Sequence, residues 1–209
     1  MRKLTKSTIV AGAALAAAVG FATSPASAAG TWTVSGSTGA GGAFTAVATN
    51  PILTDTNTGT QLKCTKSNAG GTAPNGTGLS GTAIASISSV TWTSCSGPAG
   101  ITFTVTAQGL PWKLNAASYA GGVTTGTLTG VKAHISGLCN ADFNGPTAGS
   151  TATLTGKYTN STHTLTISGG NLKAYNVSGI CLGLINNGDS ATYSANYVVT
   201  PGTLQITSP

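Results

Sequence analysis

The chain has 209 residues, of which only 6% are Asp, Glu, Lys or Arg and 40% are hydrophobic, and it carries a formal net charge of +6. From Ala29 onward there is no Arg, no Glu and no Met; the titratable side chains are three aspartates (Asp55, Asp142, Asp189), two histidines, six lysines, five tyrosines and four cysteines. Chemistry that depends on paired carboxylates, a metal-ligand cluster or phosphate-gripping arginines has little to draw on here, and no cofactor is predicted.

The first predicted element is an export signal. Arg2, Lys3 and Lys6 precede the apolar run Ile9–Phe21, whose thirteen residues fall short of the roughly 20 that a membrane-spanning helix needs. Small residues follow as Ala26-Ser27-Ala28-Ala29, an A-x-A cleavage site after Ala28, with a register one residue later nearly as good. Residues 1–28 are therefore read as a cleaved secretory signal peptide and 29–209 as a single domain, released outside the cell or held loosely on its wall. Removal of the leader takes three of the nine basic residues, leaving six lysines against three aspartates, a net charge of +3. Those lysines (Lys63, Lys66, Lys113, Lys132, Lys157, Lys173) are scattered and no arginine accompanies them, so nucleic acid is not a predicted partner. No later stretch is long and apolar enough to be a transmembrane helix.

Beyond the leader the hydrophobic period is two. The Gly-rich segments Ser35–Gly42 and Asn68–Gly81 are read as loops. Alternation then marks strands at Ile101–Ala107, Val131–Ile135, Ala152–Tyr158, Leu165–Ile167, Tyr193–Val199 and Leu204–Ile206, each with one apolar face and one face of Thr, Ser or Asn. Turn signals separate them at Asn160-Ser161, Gly169-Gly170, Asn187-Gly188 and Pro201-Gly202. No window repeats apolar residues at helical spacing, and β-branched Thr opposes helix. About ten to thirteen short strands with turns at this interval predict an all-β antiparallel β-sandwich or barrel.

Four cysteines in an exported chain imply two disulfides. Of the possible connectivities the sequential one, Cys64–Cys95 and Cys139–Cys181, is favoured because it closes one local loop in each half of the chain. No C-x-x-C pair occurs and neither His134 nor His163 sits at a ligand-like offset from a cysteine, so zinc is not predicted. Asp55-x-Asn57-x-Gly59 resembles the opening of a calcium loop, but its glycine comes one position early and the closing glutamate is missing. The three aspartates all lie in turn-forming sequence, where such side chains usually hold their own backbone. His134 shares parity with Lys132 and Ser136 and is expected on the solvent face, while His163 is placed at a strand start. No G-x-S-x-G elbow is present, and no catalytic residue is assigned.

Trp32, Trp92 and Trp112 are the aromatic candidates for a binding surface. Trp92, three residues before Cys95, is expected in the core against that disulfide; Trp32, near the new N-terminus, and Trp112, after Pro111, are the predicted ligand contacts. The Ala-rich leader, Trp92-x-x-Cys95-x-Gly-Pro98, Gly109-x-x-Trp112-x-Leu114, Gly137-x-Cys139, Gly179-x-Cys181-x-Gly183 and the closing Tyr197–Ile206 stretch resemble the uncharacterised small secreted proteins of actinobacteria. That resemblance implies a Gram-positive, high-GC source and an all-β secreted fold, and it supplies no catalytic residue. The reading that follows is a secreted non-catalytic domain that binds a polysaccharide or a protein outside the cell. The alternatives are an extracellular hydrolase of glycans or esters, which needs two aspartates in one cleft, and an envelope barrel or pore, which needs strands of about ten residues with an outward apolar band.

Overall fold

The computed structural model describes residues 31–209, so the leader and its cleavage site lie outside the described residues. Thr alternating with aliphatic residues suits a pleated, half-buried surface, and the described chain is built from fourteen strands with two single 3-10 turns. They are β1 (Trp32–Ser35), β2 (Ala43–Thr49), β3 (Ile52–Asp55), β4 (Gln61–Thr72), β5 (Gly76–Leu79), β6 (Ala85–Ser96), β7 (Thr102–Gln108), β8 (Trp112–Ala120), β9 (Val123–Gly137), β10 (Cys139–Asn144), β11 (Ala152–Thr159), β12 (Thr164–Gly179), β13 (Ser190–Thr200) and β14 (Gln205–Thr207).

Eleven of these strands form one antiparallel sheet. β2 and β3 pair with successive stretches of the same two neighbours, β4 and β13. β7 and β8 do the same between β6 and β9, and β10 and β11 between β9 and β12. Each couple is thus one strand position interrupted midway, by Asn50-Pro51, by Gly109-Leu110-Pro111 and by the Gly145–Ser150 excursion. Proline cannot donate to a ladder, so a strand carrying one breaks there. With each couple taken once, eight positions run β2/β3, β4, β6, β7/β8, β9, β10/β11, β12 and β13 in chain order, and β13 returns to β2/β3. The sheet is an up-and-down eight-stranded barrel. The broken positions are why the strands outnumber those read from the sequence.

Two local readings are corrected. Gly169-Gly170 is no turn between strands but a bulge inside β12. There the neighbour of β12 changes from β11 to β10; Gly170 adopts φ +125°, and a Cβ at that position would collide with Leu154. The Asn171 side chain accepts a hydrogen bond of 2.7 Å from the Thr153 amide across the same bend. The Asn68–Gly81 segment is not a loop: its first part completes β4, and β5 leaves the barrel to pair with β1.

Parity sends Phe103, Val105 and Ala107 of β7 inward and leaves Thr102, Thr104 and Thr106 exposed, and the same division holds around the ring. Phe143, Ile167 and Val34 are among the most completely buried side chains, each worth about 1.5–3 kcal/mol of hydrophobic burial. One polar chain crosses this interior. The Trp92 Nε1–H donates to Tyr193 Oη at 3.1 Å, Tyr193 and Tyr197 share a hydroxyl bond of 2.9 Å, and Tyr197 bonds Ser67 Oγ at 2.8 Å. Burial raises both tyrosine hydroxyls above their usual range, and the neighbouring Tyr197 pushes Tyr193 further, well above it, so the network stays neutral.

The two barrel ends are closed differently. At one, here the lid end, β14, β1 and β5 form a small antiparallel sheet. Asn160 ties that sheet to the barrel, donating from Nδ2 to the Ile206 carbonyl and accepting from the Ile206 amide, while Tyr158 Oη donates to the Leu204 carbonyl. Burial pushes the Tyr158 hydroxyl up to about 12. At the other end, here the rim, the segment between β12 and β13 folds back and buries Ile185 near Leu62, Phe103 and Ile135. Both disulfides sit at the rim, in the sequential pairing: Cys64–Cys95 joins opposed residues of β4 and β6, and Cys139–Cys181 joins the start of β10 to the β12–β13 segment. We expect Phe143→Ala to lower the unfolding free energy by about 3–5 kcal/mol, read as a fall in the urea midpoint without a change in slope.

Candidate functional site

Both tryptophans predicted to touch a ligand are buried, at 4% exposure each. Trp32 lies under the lid sheet because β1 pairs on both sides, with β14 and β5. Trp112 points into the barrel, where its Nε1–H donates to the Gln108 carbonyl at 2.9 Å. Trp92, expected in the core against the Cys95 disulfide, is half-buried; it packs against Trp112, ring centroids 6.5 Å apart, and bonds Tyr193. Trp92 and Trp112 line an apolar cavity of ≈ 80 Å³. A cavity of about 150 Å³ takes benzene, so no sugar ring fits inside. No aromatic side chain is fully exposed among the described residues, and a flat stacking platform for sugars is not formed by them.

Of the large exposed hydrophobic side chains among the described residues, Val198 stands alone on the wall in β13 and the other three gather at the rim. Leu138, between β9 and β10, and Ile180 and Leu182, just after β12, are 60%, 60% and 72% exposed. The Ile180 amide donates to the Leu138 carbonyl at 2.7 Å, and the Cys139–Cys181 bridge joins the same two turns. These constraints hold together the two turns that carry the three side chains, at one corner of the barrel. Leu182 has a left-handed backbone (φ +52°) and is followed by Gly183 (φ +70°). A bulky residue held in that conformation costs on the order of 1–3 kcal/mol and marks positions fixed by something other than local preference.

The carboxylates divide into two arrangements. Asp55 and Asp189 come together at the rim and are buried, at 1% and 9% exposure. Asp55 Oδ1 accepts from the amides of Asn57 and Thr58 at 2.9 and 3.1 Å, and Asp189 Oδ2 accepts from the Asn186 amide and side chain. Both therefore form the turns read from the sequence. Burial raises the Asp55 carboxyl above its ordinary value; the two amide bonds oppose that rise, and the charge and contact of Asp189 add to it.

Asp142 is not a turn former. It sits mid-strand in β10, paired in register with His134 of β9. His134 is on the outer face, as its parity requires, and its Nδ1 lies 2.7 Å from Asp142 Oδ1, while Asn176 Nδ2 donates to Asp142 Oδ2. Burial raises the Asp142 carboxyl, but the bonds from Asn176 and His134 and the charges of His134 and Lys132 outweigh it and hold it below its usual range. The pair resembles two-thirds of a hydrolytic triad, yet no serine or threonine hydroxyl bonds His134 among the described residues. A nucleophile held by the base is what that chemistry needs. His163 closes a turn at φ +48°, its Nδ1 3.2 Å from the Leu204 carbonyl.

The barrel wall is polar outside and apolar inside. Thr155 and Lys157 of β11 and Ser194 and Asn196 of β13 are exposed, beside the threonines of β7. A membrane-spanning barrel carries the reverse, an apolar band outward around a polar interior. Among the described residues no helix is long and apolar enough to cross a membrane.

Fold and site together define an antiparallel up-and-down barrel with a side-chain-filled interior and a disulfide-clamped apolar rim. Comparison of the chain with protein-family models, curated proteins and solved structures finds no match.

Because the Asp142 carboxyl is held below its unfolded-state value of about 3.9, its contribution to stability is complete above that value and is lost as pH falls through the folded one. We expect Asp142→Asn to lower the melting temperature at pH 7, by the equivalent of no more than about 1 kcal/mol for a pair so near the surface. The deficit relative to the parent protein should close as the scan is repeated toward pH 2.

Proposed function

We propose that the protein is an exported, non-catalytic binding barrel that docks a protein partner outside the cell through its rim. The observation that carries this reading is the exposure of Leu138, Ile180 and Leu182 on turns clamped by the Cys139–Cys181 disulfide, with Leu182 held in a left-handed backbone. Aliphatic knobs fixed on a rigid edge suit insertion into an apolar protein pocket, since little conformational freedom is lost when they bind. Sugar recognition would call on exposed rings, and a polyanion on a basic patch.

Export is supported by the leader sequence and by two disulfides, which persist in oxidising compartments. The source and the cell-wall association implied by the resemblance stay part of this proposal. The hydrolase alternative has less to rest on: the two aspartates that meet are buried and engaged by turn amides, and His134 has no bonded nucleophile.

The test is site-specific photo-crosslinking of the oxidised protein on the outer surface of producing cells, with the crosslinker at position 182 or, as a control, at position 104 on the barrel wall. A discrete protein adduct from position 182 only is expected. The double variant Ile180→Asp/Leu182→Asp should weaken binding to that partner by at least about tenfold with an unchanged melting temperature, because both side chains are already exposed. Retention on purified cell-wall polysaccharide that survives the double variant would move the binding surface to the wall of the barrel and overturn the rim assignment.

A further inference from the structure

The rim holds a second feature, separate from the aliphatic corner: two buried carboxylates with no positive partner. Asp55 ends β3 and Asp189 precedes β13, far apart in sequence; Asp55 stands opposite Ala191 in the ladder and the Thr56 amide donates to the Ser190 carbonyl, which makes the two carboxylates neighbours in the fold. With Asp55 Oδ1 taken by the amides of Asn57 and Thr58, Oδ2 is the oxygen left for the Asp189 side; it is fully buried and has no donor. A buried acceptor without a partner costs about 1–3 kcal/mol, and more when charged. The one ion pair among the described residues joins His134 and Asp142, so no lysine offsets this pair. Further oxygens belong to the same turns. Thr58 Oγ1 bonds Thr60 Oγ1 at 2.9 Å and donates to the Leu184 carbonyl at 2.8 Å, and Asn57 Oδ1 accepts from the Ser190 amide at 2.9 Å.

Two neighbouring carboxylates shut away from water need one positive charge between them, and carboxylate oxygens favour a hard cation over a soft metal. We infer that Asp55 and Asp189 form a binding site for a divalent hard cation, calcium by the chemistry of its donors, which fastens the β3–β4 turn to the segment leading into β13. The Asp55-x-Asn57-x-Gly59 run supplies only half of this arrangement. Its other half comes from a residue 134 positions later in the chain, which is why the missing acidic residue of a sequential calcium loop does not decide the matter. Extracellular calcium modules bind with dissociation constants on the order of 10⁻⁴–10⁻³ M, a range that suits an exported protein.

The experiment is thermal unfolding of the full oxidised protein at pH 7.5 in EDTA, in magnesium chloride and across a calcium chloride series, with calorimetric titration of calcium into the parent protein. The expected result is a melting temperature that climbs with the logarithm of calcium concentration, and a heat of binding with one site per chain. Asp55→Asn and Asp189→Asn should each abolish that rise. Asn is close in shape to a protonated Asp, so both variants are expected to fold, and the titration of the parent protein stands without them. An equal melting temperature in all three media, with no binding heat, would overturn the site and leave the pair sharing one proton. In that case Asp55→Asn would match or exceed the parent's melting temperature at pH 7.5. Neither outcome depends on what the aliphatic corner binds, so the two proposals fail separately.

Discussion

The constraint on which the rest of this structure depends is ring closure between β13 and the β2/β3 position. A meander of alternating strands left open would present two long edges of unpaired amides and carbonyls, a template for joining other chains. Pairing Tyr197–Thr200 with Thr45–Ala48 and Ala191–Ser194 with Ile52–Asp55 removes both edges at once. Closure also fixes what faces where: an eight-stranded ring has an interior just wide enough for side chains to fill. One face of every strand must therefore be apolar and is sealed in, and the hydroxyl-rich face is turned outward. The low charge of the chain follows naturally, because threonine and serine already satisfy the outer surface and suit the strands.

Closing so small a ring bends its strands, and the chain does this at a few positions. Three strand positions are broken outright and β12 is bent by its glycine bulge, each break falling where a long neighbour changes partner. The long strands β9 and β12 act as staves that span the barrel while pairs of shorter strands fill the gap at each end. The interior also carries a polar chain. In the Trp92, Tyr193, Tyr197 and Ser67 chain every polar atom has a hydrogen-bond partner, and such a buried network fixes how the strands facing it register.

The barrel's strands and disulfides were legible in the sequence because both are local or nearly so: period-two alternation reports a half-buried strand directly, and an even cysteine count in an exported chain reports bridges. Of the lid only the closing strand, read at Leu204–Ile206, was legible. β1, β5 and β14 are three or four residues long and acquire their meaning only from one another, so Trp32 looks free in the sequence although it is roofed in the fold. Trp112 misled for a related reason: its Pro111 neighbour suggests a loop, but the proline only breaks a strand position that resumes at Trp112 itself. Asp142 sits in Asn-Ala-Asp-Phe-Asn-Gly, a composition typical of turns, and cross-strand pairing with His134 overrides that local preference. The Asp55–Asp189 contact was beyond any reading of spacing, since it joins the first and last positions of the ring.

The pairing of β1 with β14 brings the two ends of the described chain to one pole of the barrel, and the chain's direction through the meander places Leu138, Ile180 and Leu182 at the opposite pole. An attachment made through either end, to a surface, a bead or a second domain, would therefore hold the molecule upright with its aliphatic corner pointing away from the anchor. The same proximity means that the ends could be joined by a short linker and the chain reopened at the Gly145–Ser150 excursion, a surface loop of small and polar residues, without breaking the ring.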